Sequence, residues 1–271
     1  MKTIRFKSLS SGSCGNCYFL GIFEEAHCEA GILIDAGVSP RRLRKELQYD
    51  NLGLDDFSGI LITHDHYDHI RSLGSYCKHL AKPVWTTPTL HQALCRHFIT
   101  GEHFPAFRQE LAEGWNELVP GRIRARWFEV PHDASQTVGY AILLDDYKFV
   151  IMTDIGRMTP QALSLASQAD TVVIESNYDD DMLRNGPYPK ELQDRIRGGH
   201  GHLSNRECAE AVGNFAHEGL RNIFLCHLSE HNNTPELALQ ESRRVLDTPG
   251  FPGSPRLVAL PRQTATQIII L

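Results

Sequence analysis

Nowhere does this sequence carry an apolar run long enough to cross a bilayer, so membrane insertion is not expected. Met1 to Lys7 alternate apolar and polar residues like a first strand and lack the uninterrupted apolar stretch of a secretory signal. A cytoplasmic location is therefore expected. A Ser/Gly-rich linker, a charge block, an internal repeat and a low-complexity tract are also missing, which points to one domain over residues 1–271. Paired cysteine spacing is missing: the seven thiols are scattered and odd in number, which argues against a disulfide framework. The CxxC at Cys14-Gly15-Asn16-Cys17 has no second pair for zinc, and it opens a strand where a redox motif would begin a helix. Excess positive charge is missing too, and a net charge of −6 gives no blanket attraction for polyanions. Basic residues cluster locally at Arg41-Arg42-Arg44-Lys45, Arg122-Arg124-Arg126 and Arg195-Arg197, where a solvated face is the commoner explanation.

What the chain does have is an ordinary globular composition, 41% apolar and 22% charged, and one exceptional segment. Thr63-His64-Asp65-His66-Tyr67-Asp68-His69 packs three imidazoles and two carboxylates directly behind the buried-strand pattern Gly59 to Thr63. Neutral imidazole with ionised carboxylate suits zinc, manganese or iron, and two ligand pairs this close suggest two adjacent divalent ions.

Hydrophobic periodicity predicts strands at 1–10, 16–24, 31–36, 58–63 and 83–87, with helices near 39–49, 67–81 and 88–99. Further strands are expected at 122–130, 138–144, 148–153, 171–174 and 222–226. A helix follows Thr159-Pro160, another runs from a Ser204 cap to about Glu218, a third covers 235–246, and a hairpin from Arg256 to Leu271 closes the chain. Residues 179–201 read as a polar, exposed excursion. Helices alternate with strands and hairpins, so the fold class is α/β (α+β) with mixed sheets.

Four of these strands end one or two residues before a metal-ligand residue type: the His64 cluster, His132, Asp154 and His227. Their carboxyl ends should meet around one cleft.

The ordered set HxHxDH, His132, Asp154, His227 resembles the metallo-β-lactamase fold superfamily over nearly the whole chain. The resemblance implies a four-layer αββα sandwich of two mixed β-sheets with a dinuclear site between them. It implies that His64, His66 and His132 hold one ion, that Asp68, His69 and His227 hold the other, and that Asp154 bridges them. Hydrolysis would use a water whose pKa the ions lower to about 7, oriented by Asp68 or Asp154. Gly201-His202-Leu203-Ser204-Asn205 with His227-Leu228-Ser229 is similar to the tail of RNase Z, which implies that His202 is a non-ligand histidine serving the leaving group.

Ser8 to Ser13 with Gly15-Asn16, the 63–70 box, Pro131 to Ala134, Thr153 to Gly156, Glu175-Ser176-Asn177, the GHLSN segment and His227 to Asn233 together resemble the YycJ/WalJ branch, assigned as 5′-to-3′ double-strand DNA exonucleases. DNA is then favoured over RNA as substrate, with arginines among Arg157, Arg184, Arg195 and Arg197 lining the cleft. Glu175, Asn177, Ser204, Glu230 and His231 are candidates for supporting the ligands or the substrate. Ser11 and Ser13, with Gly12 and Gly15, form either an amide nest for a terminal phosphate or a plain β-turn. The interval from Asp154 to His227 is too short for the extra domain of RNase J-type nucleases. Lactonases and thioesterases share the ligands but do not require GHLSN.

Overall fold

Two-residue turns at Ser13-Cys14 and Glu25-Ala26 fold the first residues into an antiparallel meander: β1 (Lys2–Gly12), β2 (Gly15–Glu24) and β3 (His27–Ile34). In the computed structural model, which describes residues 1–271, short parallel strands extend this meander: β4 (Ile60–Leu61), β5 (Val84–Thr86) and β6 (Arg108–Glu110). The second sheet contains β7 (Asn116–Val119), β8 (Ile123–Glu129), β9 (Val138–Leu144), β10 (Tyr147–Met152), β11 (Thr171–Glu175), β12 (Asn222–Cys226) and β13 (Arg256–Ala259). A final strand, β14 (Ile269–Ile270), returns to the free edge of β1, so that each sheet is mixed and seven-stranded.

The helices are α1 (Pro40–Gln48), α2 (Tyr67–Ile70), α3 (Leu73–Leu80), α4 (Pro88–Arg96), α5 (Pro160–Ala166), α6 (Asp180–Asn185), α7 (Lys190–Arg197), α8 (Asn205–Phe215) and α9 (Pro235–Leu246). None is long and apolar enough to cross a membrane. Period-two alternation turns Phe6, Tyr18, Phe149 and Phe224 inward between the sheets, where Phe6 meets Phe224 at 5.2 Å and Phe149 at 5.5 Å. Leu43 and Leu47 of α1 and Tyr76 of α3 pack on the outside of the first sheet. Val212 and Phe215 of α8 with Ala162 of α5 cover the second. The result is the expected αββα sandwich.

Strands β6 and β7 form where no element was expected, and three expected elements differ from their sequence pattern. The helix expected at 67–81 breaks because the Ser72 N–H bonds the Ala36 carbonyl at 3.0 Å, pinning the chain to the exit of β3. Residues 179–201 hold two helices, α6 and α7. Asp179 caps the first, and Leu183 and Gln193 provide the buried anchors that a polar composition conceals. The terminal hairpin does not form: Arg256–Ala259 pairs parallel with β12, while Ile269–Ile270 pairs with β1 in the other sheet. The final segment thereby ties the two sheets together.

Candidate metal centre

The carboxyl ends of β3, β10 and β12 deliver Asp35, Asp154 and His227 in left-handed backbone conformations, with φ of 62°, 47° and 53°. Such strain costs roughly 1–3 kcal/mol per residue and persists only where the surroundings dictate it. Bonds between the sheets draw these ends together. Val138 N–H donates to the Thr63 carbonyl at 3.0 Å, Tyr140 Oη to Ile62 at 2.6 Å, and His227 N–H to Ser11 Oγ at 3.0 Å.

All seven expected ligand residues converge there. His64, His66 and His132 form one group whose ligand atoms lie within 4.8 Å of one another, and Asp68, His69 and His227 form another. Asp154 stands between them. Its Oδ1 is 3.7 Å from His132 Nε2 and 3.3 Å from His227 Nδ1, and its Oδ2 is 3.2 Å from His69 Nε2. Asp154 is thus within reach of both groups.

Buried carboxylates and carbonyls fix the imidazoles. Asp35, which sequence reasoning missed, accepts from Nδ1 of His69 at 2.7 Å and from the Thr63 N–H at 2.9 Å. It follows an apolar strand just as Asp154 does, and that pattern was its signal. His132 Nδ1 donates to the Gly201 carbonyl at 2.7 Å. Asn16, which the sequence marked only as part of the resemblance, places Nδ2 3.0 Å from Asp68 Oδ2 and 2.8 Å from His69 Nε2. Asn177 Nδ2 donates to the His227 carbonyl at 2.8 Å. Glu175 is the hub: Oε1 accepts from Nδ1 of His202 at 2.7 Å and of His227 at 2.9 Å, while Oε2 accepts from the backbone of Ile155 and Leu203. Four donors fill the acceptor capacity of one carboxylate, leaving Glu175 no free lone pair for an ion.

Electrostatics agree with a cation-binding role. Burial alone would raise the Asp154 pKa, but His227 and His69 outweigh it and hold the group well below the usual carboxylate range. Burial drives the His64 pKa well down, with His69 adding to the effect, so its ring is neutral and ready to ligate. His69 goes the other way: Asp35, Asp154 and Asp68 overcome burial and raise it to about 10. The donor set fits divalent ions on a further ground. Nε2 of His64 and Nε2 of His227 are buried with no hydrogen-bond partner, an arrangement a protein rarely tolerates without a ligand for those atoms.

A cleft of about 280 Å³ opens beside His66, His202 and His227. Tyr188, Leu192 and Ile196 form its apolar wall, and Arg195 lines it while paired with Asp133. Arg157, Arg184 and Arg197 do not line it, and the latter two pair with Asp181 and Asp180. Several supporting candidates have other roles. Ser204 caps α8 in a reciprocal box with Glu207. Glu230 and His231 are exposed, and the His231 ring meets Tyr188, not a ligand. Ser11 is buried, its N–H is taken by the Arg262 carbonyl at 3.1 Å, and its hydroxyl accepts from the His227 N–H, so Ser11 positions His227. Ser13 is exposed at the cleft edge.

Sandwich and site together define a class. The family model described as a beta-lactamase superfamily domain matches residues 31–227, and the chain belongs to this superfamily of metal-dependent hydrolases. Within it, the chain is 32% identical over 248 residues to the exodeoxyribonuclease YycJ of Bacillus anthracis, covering 92% of this chain and 91% of that one. It is also 32% identical over 234 residues to the exodeoxyribonuclease WalJ of Streptococcus pneumoniae, covering 86% and 85%. Among solved structures, the metallo-beta-lactamase fold protein YhfI from Bacillus subtilis superposes with a TM-score of 0.67 at 14% identity, over 99% of this chain and 100% of that one. The short form of human tRNase Z superposes at 0.63 with 15% identity, over 98% and 100%.

Proposed function

We propose that the protein hydrolyses phosphodiester bonds of nucleic acid, as a 5′-to-3′ double-strand DNA exonuclease. The observation that carries this reading is the placement of His202. It is held by Glu175 at 2.7 Å and lies on the wall of the cleft next to His227; it stands outside the two histidine-rich trios, and although it also groups with Asp154, Glu175 and His227, its Nδ1 is taken up by Glu175.

His64, His66 and His132 would hold one divalent ion and Asp68, His69 and His227 the other, with Asp154 between them. Such a pair supplies positive charge for phosphate oxygens and a water acidified toward neutral pKa. The remaining work falls to side chains. Asp68, steadied by Asn16, orients the attacking water. With Nδ1 engaged by Glu175, His202 keeps Nε2 for the departing oxygen and protonates it. Glu175 outweighs the effect of burial and raises the His202 pKa, which favours this acid form. Arg195 can exchange Asp133 for a substrate phosphate, and Tyr188 offers a ring to the neighbouring base. A cleft this small suits one nucleotide at a strand end, and the two exodeoxyribonuclease relatives support DNA. The GHLSN segment favours a second reading, RNase Z-like cleavage of RNA, over a lactonase or thioesterase.

Purified protein with Mn(II) or Zn(II) should be assayed on 5′-phosphorylated duplex DNA, a pre-tRNA and bis(p-nitrophenyl) phosphate. Stepwise release of mononucleotides from the 5′ end of the duplex is expected. Cleavage of the pre-tRNA alone would favour the second reading, and no turnover of any diester would refute both.

A further inference from the structure

One surface outside the cleft is electrostatically at odds with its own helix. On α1, Arg41, Arg44 and Lys45 are exposed at i, i+3 and i+4, spacings at which like charges repel along a single face. Arg41 and Arg42 also occupy the first turn, where the helix dipole disfavours cations, and no acidic residue offsets them there. Arg41, Arg44 and Lys45 form no ion pair, unlike Lys7 with Asp50 or Lys82 with Asp55. Packing does not require them, because α1 contributes Leu43 and Leu47 to the core. The three cations and Gln48 face His79 and Leu80 at the end of α3 across an open groove.

The loop that leads into α1, and so to one wall of the groove, is tied to the metal centre by Ala36 N–H to the His69 carbonyl and Gly37 N–H to the Asn16 carbonyl, each at 2.8 Å. From there α1 runs for nine residues, about 13 Å, which spans roughly four phosphates at about 3.4 Å per step of one strand. The cleft itself, about 280 Å³, leaves most of a polymer outside.

We propose that the groove between α1 and α3 binds the phosphodiester backbone of the polynucleotide beyond the scissile end, an inference that rests on the nuclease reading above. Arg41, Arg44 and Lys45 neutralise successive phosphates there, which gives an acidic protein local purchase on a polyanion.

The test compares wild-type holoenzyme with Arg41→Glu/Arg44→Glu/Lys45→Glu and with the neutral triple Arg41→Gln/Arg44→Gln/Lys45→Gln, in case charge reversal disturbs folding. Equilibrium binding of a long phosphorothioate duplex is measured across a salt series. Loss of three phosphate contacts should flatten the slope of log K against log salt by about 2.7 and weaken binding about tenfold or more. Turnover of bis(p-nitrophenyl) phosphate should stay at the wild-type rate. An unchanged slope overturns the proposal, as does a parallel fall in small-ester turnover. Loss of binding to phosphatidylglycerol vesicles with duplex binding intact would assign the groove to a membrane surface instead. If the slope flattens but no form of the protein cleaves any diester, the groove stands and the nuclease reading fails.

Discussion

Oδ2 of Asp35 lies 2.7 Å from Nδ1 of His69, with both side chains wholly buried. The same carboxylate takes the Thr63 N–H, so one residue at the end of β3 sets both the entry of the HxHxDH loop and the ring orientation of its last histidine. Partners of this kind typically contribute 10–100-fold to metal affinity. Asp35→Asn should therefore weaken binding by about 10–100-fold, measured by competition with a chromophoric chelator. Wild-type affinity in this variant would remove Asp35 from the account.

His202→Ala should slow cleavage of DNA by about 10²–10⁴-fold, the usual contribution of a positioned acid. Its metal content should not change. A p-nitrophenolate departs without a proton, so bis(p-nitrophenyl) phosphate should be affected far less. Equal losses on both substrates, or loss of metal, would contradict the leaving-group role.

Glu175 gives that role a pH signature. Burial opposes protonation of His202, but Glu175, through charge and hydrogen bond, and then Asp154 raise its pKa above the ordinary 6.5. The acid form thus persists above pH 6.5, and kcat on DNA should fall as pH rises through the raised value. Glu175→Gln removes the charge and should move that descending limb to lower pH. A limb that stays in place in the variant argues against the pair.

The candidate metal ligands were legible in the sequence because the HxHxDH segment is dense in ligand types and His132, Asp154 and His227 each come within two residues of an apolar strand end, local signals that survive without coordinates. Asp35 follows the same rule, but a lone carboxylate in a chain with many acidic residues does not stand out. Gly201 was legible only as part of GHLSN, since its carbonyl contact with His132 depends on tertiary approach. The helices within 179–201 were hidden because α6 and α7 bury few side chains, Leu183 and Gln193 among them. The fate of the last residues was hidden too. A strand-turn-strand pattern does not reveal whether its two strands pair with each other or with different sheets.

Tyr188 and Arg195 belong to that hidden segment and should govern substrate binding. Tyr188→Ala should raise KM for DNA by about 5–150-fold, corresponding to roughly 1–3 kcal/mol per stacked base, with kcat largely kept. Steady-state kinetics on a 5′-phosphorylated duplex would check this, and an unchanged KM would take the base off that wall.

The central claim is that two divalent ions sit among seven side chains gathered from distant parts of the chain. Anomalous diffraction from crystals grown with zinc or manganese tests it most directly. The account predicts two peaks, one among His64, His66 and His132 and one among Asp68, His69 and His227, with Asp154 touching both. A single peak, or a peak ligated by Glu175 and His202, would contradict it.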